Sequence, residues 1–264
     1  MATPEQVIAG HQAAVAAVRA HVLAYARLVW TAQGSYRTAD VNRLVALLVP
    51  RVQAGQLQTA QLTSAYIASI DTLRSGRLVK PAPVDPSEVL DGRGVPANEV
   101  YRRPAVEVYT ALAAGKSFES AAAAGLTRLN SLVATDMQMS KVRQARSSYE
   151  ASGVRYFRRV LNGGSNCGLC TIASTQRYRT SSLSPIHPGC DCGVDALADH
   201  ESQEHVIDQA ALDSAHAQIE GTFGGSFRDG RSLDYRLIEI RQHGEIGDVL
   251  TWRGQHFDGP RSVS

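Results

Sequence analysis

Apolar residues recur at helical spacing over residues 5–33. Val7, Ala14, Val15, Val18, Val22, Leu23, Tyr25, Ala26 and Val29 trace one stripe, and Gly34 is a natural stop. The pattern predicts one long helix. A second is expected from Thr38 or Asp40 through Val41, Leu44, Val45 and Leu48, with Pro50 ending or kinking it. A third should run from about Thr59 to Arg74 and stop at Gly76. Together these predict a helical bundle over residues 1–80. Pro81, Pro83, Pro86 and Pro96, with Gly92 and Gly94, then mark residues 81–100 as a linker or irregular arm. The helical pattern resumes at Pro104, suited to a first helical position, and ends at Gly115. Ser117 is expected to cap a long helical stretch to about Ser152, bent at Gly125 and closed by Gly153.

Past Gly153 the period changes from helical to alternating. Val154, Tyr156, Arg158 and Val160 alternate with Arg155, Phe157, Arg159 and Leu161, which predicts a strand. Residues 196–220 read as a further helix. Tyr235 to Ile240 and Val249 to Trp252, separated by Gly244 and Gly247, read as a β-hairpin. The expected fold class is therefore α+β, mostly α. An N-terminal helical bundle precedes a small α+β domain, residues 101–264, with a Cys/His cluster and a β-hairpin.

Composition supports packed helices: 44% of residues are hydrophobic but only 6% aromatic. No apolar run reaches the roughly 18 residues of a membrane span, and the start lacks the basic-then-apolar layout of a signal peptide. We therefore expect cytoplasm, or an assembly built there, and no membrane partner. The net charge of +2 hides an asymmetry. Residues 101–164 carry ten Lys/Arg against four Asp/Glu, whereas residues 165–264 carry eight against fourteen. The two segments are expected to face each other or different partners. Asp195, Asp199, Glu201, Glu204 and Asp208 form the acidic side, and Arg143, Arg146, Arg155 and Arg159 are its candidate basic partner within the chain.

All four cysteines lie in one window. Cys167-Gly-Leu-Cys170 is followed, sixteen residues later, by His187-Pro-Gly-Cys190-Asp-Cys192. Two close pairs separated by a loop suit a tetrahedral metal, because each pair supplies adjacent ligands. Cys167, Cys170, His187, Cys190 and Cys192 are the five candidate ligands, any four of which would hold a structural Zn²⁺. Disulfides and buried thiols are the other readings of the same spacing. Four thiolates leave no open position for water, which argues against a catalytic zinc. The loop between the pairs carries Arg177, Tyr178 and Arg179, which the metal would present to a partner.

No Gly-x-Ser-x-Gly elbow, Walker loop, His-Glu-x-x-His or Gly-x-Gly-x-x-Gly fingerprint occurs. His200, His205 and His216 read as solvated histidines on the acidic helix. Trp30 and Trp252 read as core or interface anchors. No catalytic or cofactor-binding residue is expected.

The cysteine window also carries a resemblance. Arg158-Arg159-Val160-Leu161, Cys167-x2-Cys170 and His187-x2-Cys190-x-Cys192 resemble the Mu-type (MuF-like) phage minor head protein domain. Arg128-Leu129-x-x-Leu132-Val133-x-Thr135-Asp136 is similar to that family's long helix. Gln242-His243-Gly244-Glu245-Ile246-Gly247-x-Val249-Leu250 is similar to a tail of actinobacteriophage members. The resemblance covers roughly residues 115–250. It implies a non-enzymatic minor capsid protein of head morphogenesis, located in the virion and assembled in the host cytoplasm. Its partners would be the portal and capsid proteins, with packaged DNA as a further one. Two alternatives go with it: a capsid maturation protease, and a DNA-binding internal head protein whose Arg143, Arg146, Arg155, Arg158 and Arg159 touch packaged DNA.

Overall fold

The computed structural model describes residues 2–162, 168–186, 191–197, 204–223, 238–243 and 247–252. The chain divides into two units, Met1–Gln144 and Ala145–Ser264. It is mostly helical with a small antiparallel sheet, as the α+β expectation had it.

The first unit opens with α1, Pro4–Thr31. Thr3 closes its start: the Thr3 Oγ1 accepts from the Gln6 amide and the Gln6 Oε1 accepts from the Thr3 amide, while Pro4 takes the first turn. Val15, Val18, Val22, Ala26 and Val29 form the buried stripe, with Trp30 at its end. By length and mean hydropathy α1 could cross a membrane. The core helix of a soluble protein meets the same measure, and Arg19 and Arg27 interrupt the apolar run of α1.

The second and third expected helices are one. α2 runs unbroken over Thr38–Ser75, with Pro50 inside it. Pro50 lies on the exposed face, so the carbonyl its missing N–H leaves unbonded faces solvent. Leu44, Val45 and Leu48 before it and Val52 and Ala60 after it are buried on the opposite side. An interior proline costs about 3 kcal/mol. Burying a Val or Leu side chain contributes about 1.5–3 kcal/mol, so the continued stripe outweighs it. Gly76 ends the helix with φ +68°.

The proline-rich stretch is not featureless. It holds α3, Pro86–Leu90, and α4, Ala97–Val100, and both Val89 and Val100 are buried. Its backbone is tied down by side chains. The Ser64 Oγ donates to the Ala82 carbonyl, the Gln144 Nε2 to Pro83, and the Arg143 guanidinium to Glu88 and Gly92. α5 follows at Arg103–Ala113 with Pro104 in its first turn.

α6 spans Phe118–Ser152, starting in the first unit and ending in the second. Ser117 caps it through the Ser120 amide at 3.2 Å, and Gly153 follows with φ +72°. No element boundary falls at Gly125. That glycine is explained by crowding: a Cβ there would lie 2.5 Å from Trp30 and 2.8 Å from the Pro104 carbonyl. Within α6 a buried carboxylate, Asp136, accepts from the Arg93 Nε and the Tyr101 hydroxyl, each at 2.6 Å.

The second unit contains β1, Tyr156–Val160; α7, Gly168–Ser174; β2, Arg177–Arg179; β3, Gly193–Leu197; and α8, Gln209–Phe223. The sheet order is β2-β1-β3, antiparallel throughout. A separate hairpin pairs β4, Ile238–His243, with β5, Gly247–Trp252, as expected. The helix expected over 196–220 is instead the end of β3, a bridge between Gln176 and Val206, and α8. Asp195 and Val194 belong to a strand because β1 is the central strand and needs a partner on each side.

Candidate metal centre

β1 positions the centre by its alternation. Phe157 and Arg159 are 0% and 2% exposed, while Arg158 between them faces out. On β2, Tyr178 lies directly opposite Phe157 and their rings stack at 5.5 Å. Arg159 therefore points into the protein beside two aromatic rings. Its guanidinium lies 5.6 Å from the Phe157 centroid and 5.9 Å from that of Tyr178. Nη2 donates to the Ser184 carbonyl, and Nη1 donates to the Cys192 Sγ at 3.7 Å. Nε is buried without a partner. Among the described residues no carboxylate pairs with Arg159.

Cys170 comes from α7 and Cys192 from the residue just before β3. Both are buried thiols in one apolar cluster with Leu169, Ala173 and Ile186. One residue from each cysteine pair thus enters the same small core. The Tyr178 phenol registers the same grouping. Burial pushes its pKa up, the Arg159 charge opposes that, and Cys192 and Cys170 add to it.

Of the five expected ligands, Cys170 and Cys192 are brought together. Cys167, His187 and Cys190 lie outside the described residues. Among the described residues no three ligand-type side chains form a group. The segment between the pairs differs from the expected loop: it contains α7, β2 and a short 3-10 turn, Thr180–Ser182. It is tied to the chain ahead of β1, the Thr180 Oγ1 donating to the Val154 carbonyl at 2.7 Å.

Cys170 and Cys192 supply two of the sulfurs a zinc–thiolate centre would need, and the charge beside them is of the sign such a centre would call for. Zinc with four thiolates carries a net charge of about −2, and with three thiolates and a neutral His about −1, so a buried guanidinium beside a ligand sulfur is its natural counter-charge and donor. A disulfide or a neutral thiol supplies no such charge. Arg159 was missed as a member of this site because its residue type suggested a surface partner. Its parity with Phe157 along the strand was the available signal.

Other expectations change as well. Asp195 sits on β3, 1% exposed, and its Oδ2 accepts from both the Nε and Nη2 of Arg158 at 3.2 and 3.0 Å. Its partner is thus Arg158, outside the four arginines expected. Arg146 pairs with Glu150 one turn along α6. Asp199, Glu201 and His200 lie outside the described residues. His205 is exposed, as a solvated histidine should be, but it precedes α8 and its ring edge meets Tyr178; desolvation and the Arg177 charge lower its pKa. His216 in α8 is half-buried with a buried Nε2, so it is not a simple solvated histidine. Trp30 is a core residue, its Nε1 donating to the Ala122 carbonyl at 3.2 Å.

No protein-family model, no curated protein and no solved structure matches this chain.

Proposed function

We propose that this chain is a non-enzymatic minor head protein of a MuF-like phage, associated with the portal, whose C-terminal unit is clamped by a structural zinc. The observation that carries the metal part is the buried Arg159 guanidinium. It has no carboxylate partner among the described residues and donates to Cys192 in the cluster that also holds Cys170. A buried charge costs several kcal/mol unless compensated, and arginine does not deprotonate. A zinc held by four of Cys167, Cys170, His187, Cys190 and Cys192 supplies the missing negative charge. Because such a site scarcely exists in the unfolded chain, its binding energy becomes folding energy for a unit with a small core. The virion part is supported by the sequence resemblance.

The test is the composition of heads assembled with the other head proteins of the same genome. The chain is expected in purified heads at low copy number and in pull-downs with the portal. Its absence from heads sinks the reading. So does specific cleavage of the capsid or scaffold protein by the purified chain, if one substitution abolishes it.

A further inference from the structure

We propose that the outer face of the β2-β1-β3 sheet binds the phosphodiester backbone of nucleic acid. The register places two rows of side chains on that face. Arg179 lies opposite Tyr156, and Tyr156 opposite Leu197; Arg177 lies opposite Arg158, and Arg158 opposite Asp195. Arg155 adjoins the first row, with its guanidinium 5.9 Å from the Tyr156 ring. Arg155, Arg158 and Arg179 are exposed, and Arg177 and Tyr156 are half-buried.

Three features single out this face. First, the core does not need these arginines, since Phe157, Arg159 and Tyr178 fill the inner face. Second, every cation here is arginine, whose planar fork grips phosphate oxygens in pairs. Arg158 spends two of its five N–H donors on a single Asp195 oxygen and keeps the others. Alternate residues on a strand stand about 7 Å apart, so the face offers a repeated cationic grip suited to a polymer. Third, the Arg177 guanidinium lies over the Tyr156 ring at 4.0 Å. That stack gives a flat platform of the kind that bases and sugars use, which an acidic protein segment would not need. Of the five arginines the sequence offered for DNA, only Arg155 and Arg158 lie here. Arg159 is buried, and Arg177 and Arg179 take part instead. The inference goes beyond the zinc and head readings and depends on neither.

The experiment is fluorescence anisotropy of the full chain with a short labelled DNA duplex over a range of salt. Three to four phosphate contacts give a slope of log K against log salt of about −3. Arg155→Ser with Arg179→Ser should make the slope shallower by about 2, while Arg37→Ser with Arg43→Ser, at the start of α2, should leave it unchanged. Arg179→Lys should keep the slope and weaken binding. An RNA duplex should bind comparably, because the shared backbone is what is read. Circular dichroism confirms that each variant is folded. Failure of the wild type to bind at low salt overturns the proposal. So does a slope that the Arg155/Arg179 double variant leaves unchanged, or tighter binding to polyglutamate than to duplex.

Discussion

Gly125 in the interior of α6 gives a test of packing in the first unit. Elsewhere in a helix, glycine to alanine is favourable by about 1 kcal/mol. At Gly125 the added methyl would lie 2.5 Å from the Trp30 Cζ2, 2.7 Å from the Val108 Cγ2 and 2.8 Å from the Pro104 carbonyl oxygen. The carbonyl belongs to the backbone of α5, and the indole is held by its hydrogen bond to Ala122. Neither can retreat cheaply. Overpacking costs about 1–3 kcal/mol, and a backbone contact places this case at the upper end, so Gly125→Ala should lose about 2 kcal/mol net. Gly10 in α1 is the matched control, because its Cβ would meet nothing within 4 Å. Gly10→Ala should be neutral or stabilise by up to about 1 kcal/mol. Urea unfolding followed by Trp30 fluorescence, in a Trp252→Phe background, reads both. Equal, favourable shifts from the two substitutions would refute the crowding at Gly125.

Other substitutions probe the buried charges. Asp136→Ala removes the buried carboxylate that accepts from Arg93 and Tyr101 and should cost about 1–3 kcal/mol in urea unfolding, as expected for lost charge-assisted hydrogen bonds. Arg158→Ala should cost about 1 kcal/mol, because it removes two charge-assisted hydrogen bonds to the buried Asp195 carboxylate from a guanidinium that is itself partly exposed. His11 is stacked on Tyr66, and burial with the Lys141 charge lowers its pKa to about 3. Between that value and the ordinary His pKa near 6.5, the unfolded chain binds a proton that the folded chain refuses. Stability should therefore fall as pH drops below about 6.5, by roughly 1 kcal/mol per pH unit, and His11→Gln should flatten that slope in unfolding measured from pH 7 to 4.5.

Much of the helical architecture could be read from the chain because its signals are local. Gly76, Ser117 and Gly153 mark helix ends through backbone geometry that nearby residues dictate. Pro50 misled because its cost depends on which face it occupies, and burial on the opposite side decided the outcome. The crowding at Gly125 could not be read locally either, because its neighbours Trp30 and Pro104 are remote in sequence. The helix expected from residue 196 overlaps the last two residues of β3, because Gly193–Leu197 is short and paired through long-range hydrogen bonds. The cysteine spacing pointed to the convergence of Cys170 and Cys192, but nothing local announced the buried Arg159. Only the strand's alternation, combined with the depth of Phe157, places that guanidinium beside a sulfur.

The zinc content of the chain purified under reducing conditions tests the metal centre most directly. Elemental analysis should give about one zinc per chain. Cys192→Ser should lower the retention of that zinc against a chelator, and the chelator should unfold the C-terminal unit of the wild type. A metal-free chain that is fully folded and indifferent to chelator would contradict the zinc centre and leave Arg159 to be neutralised in some other way.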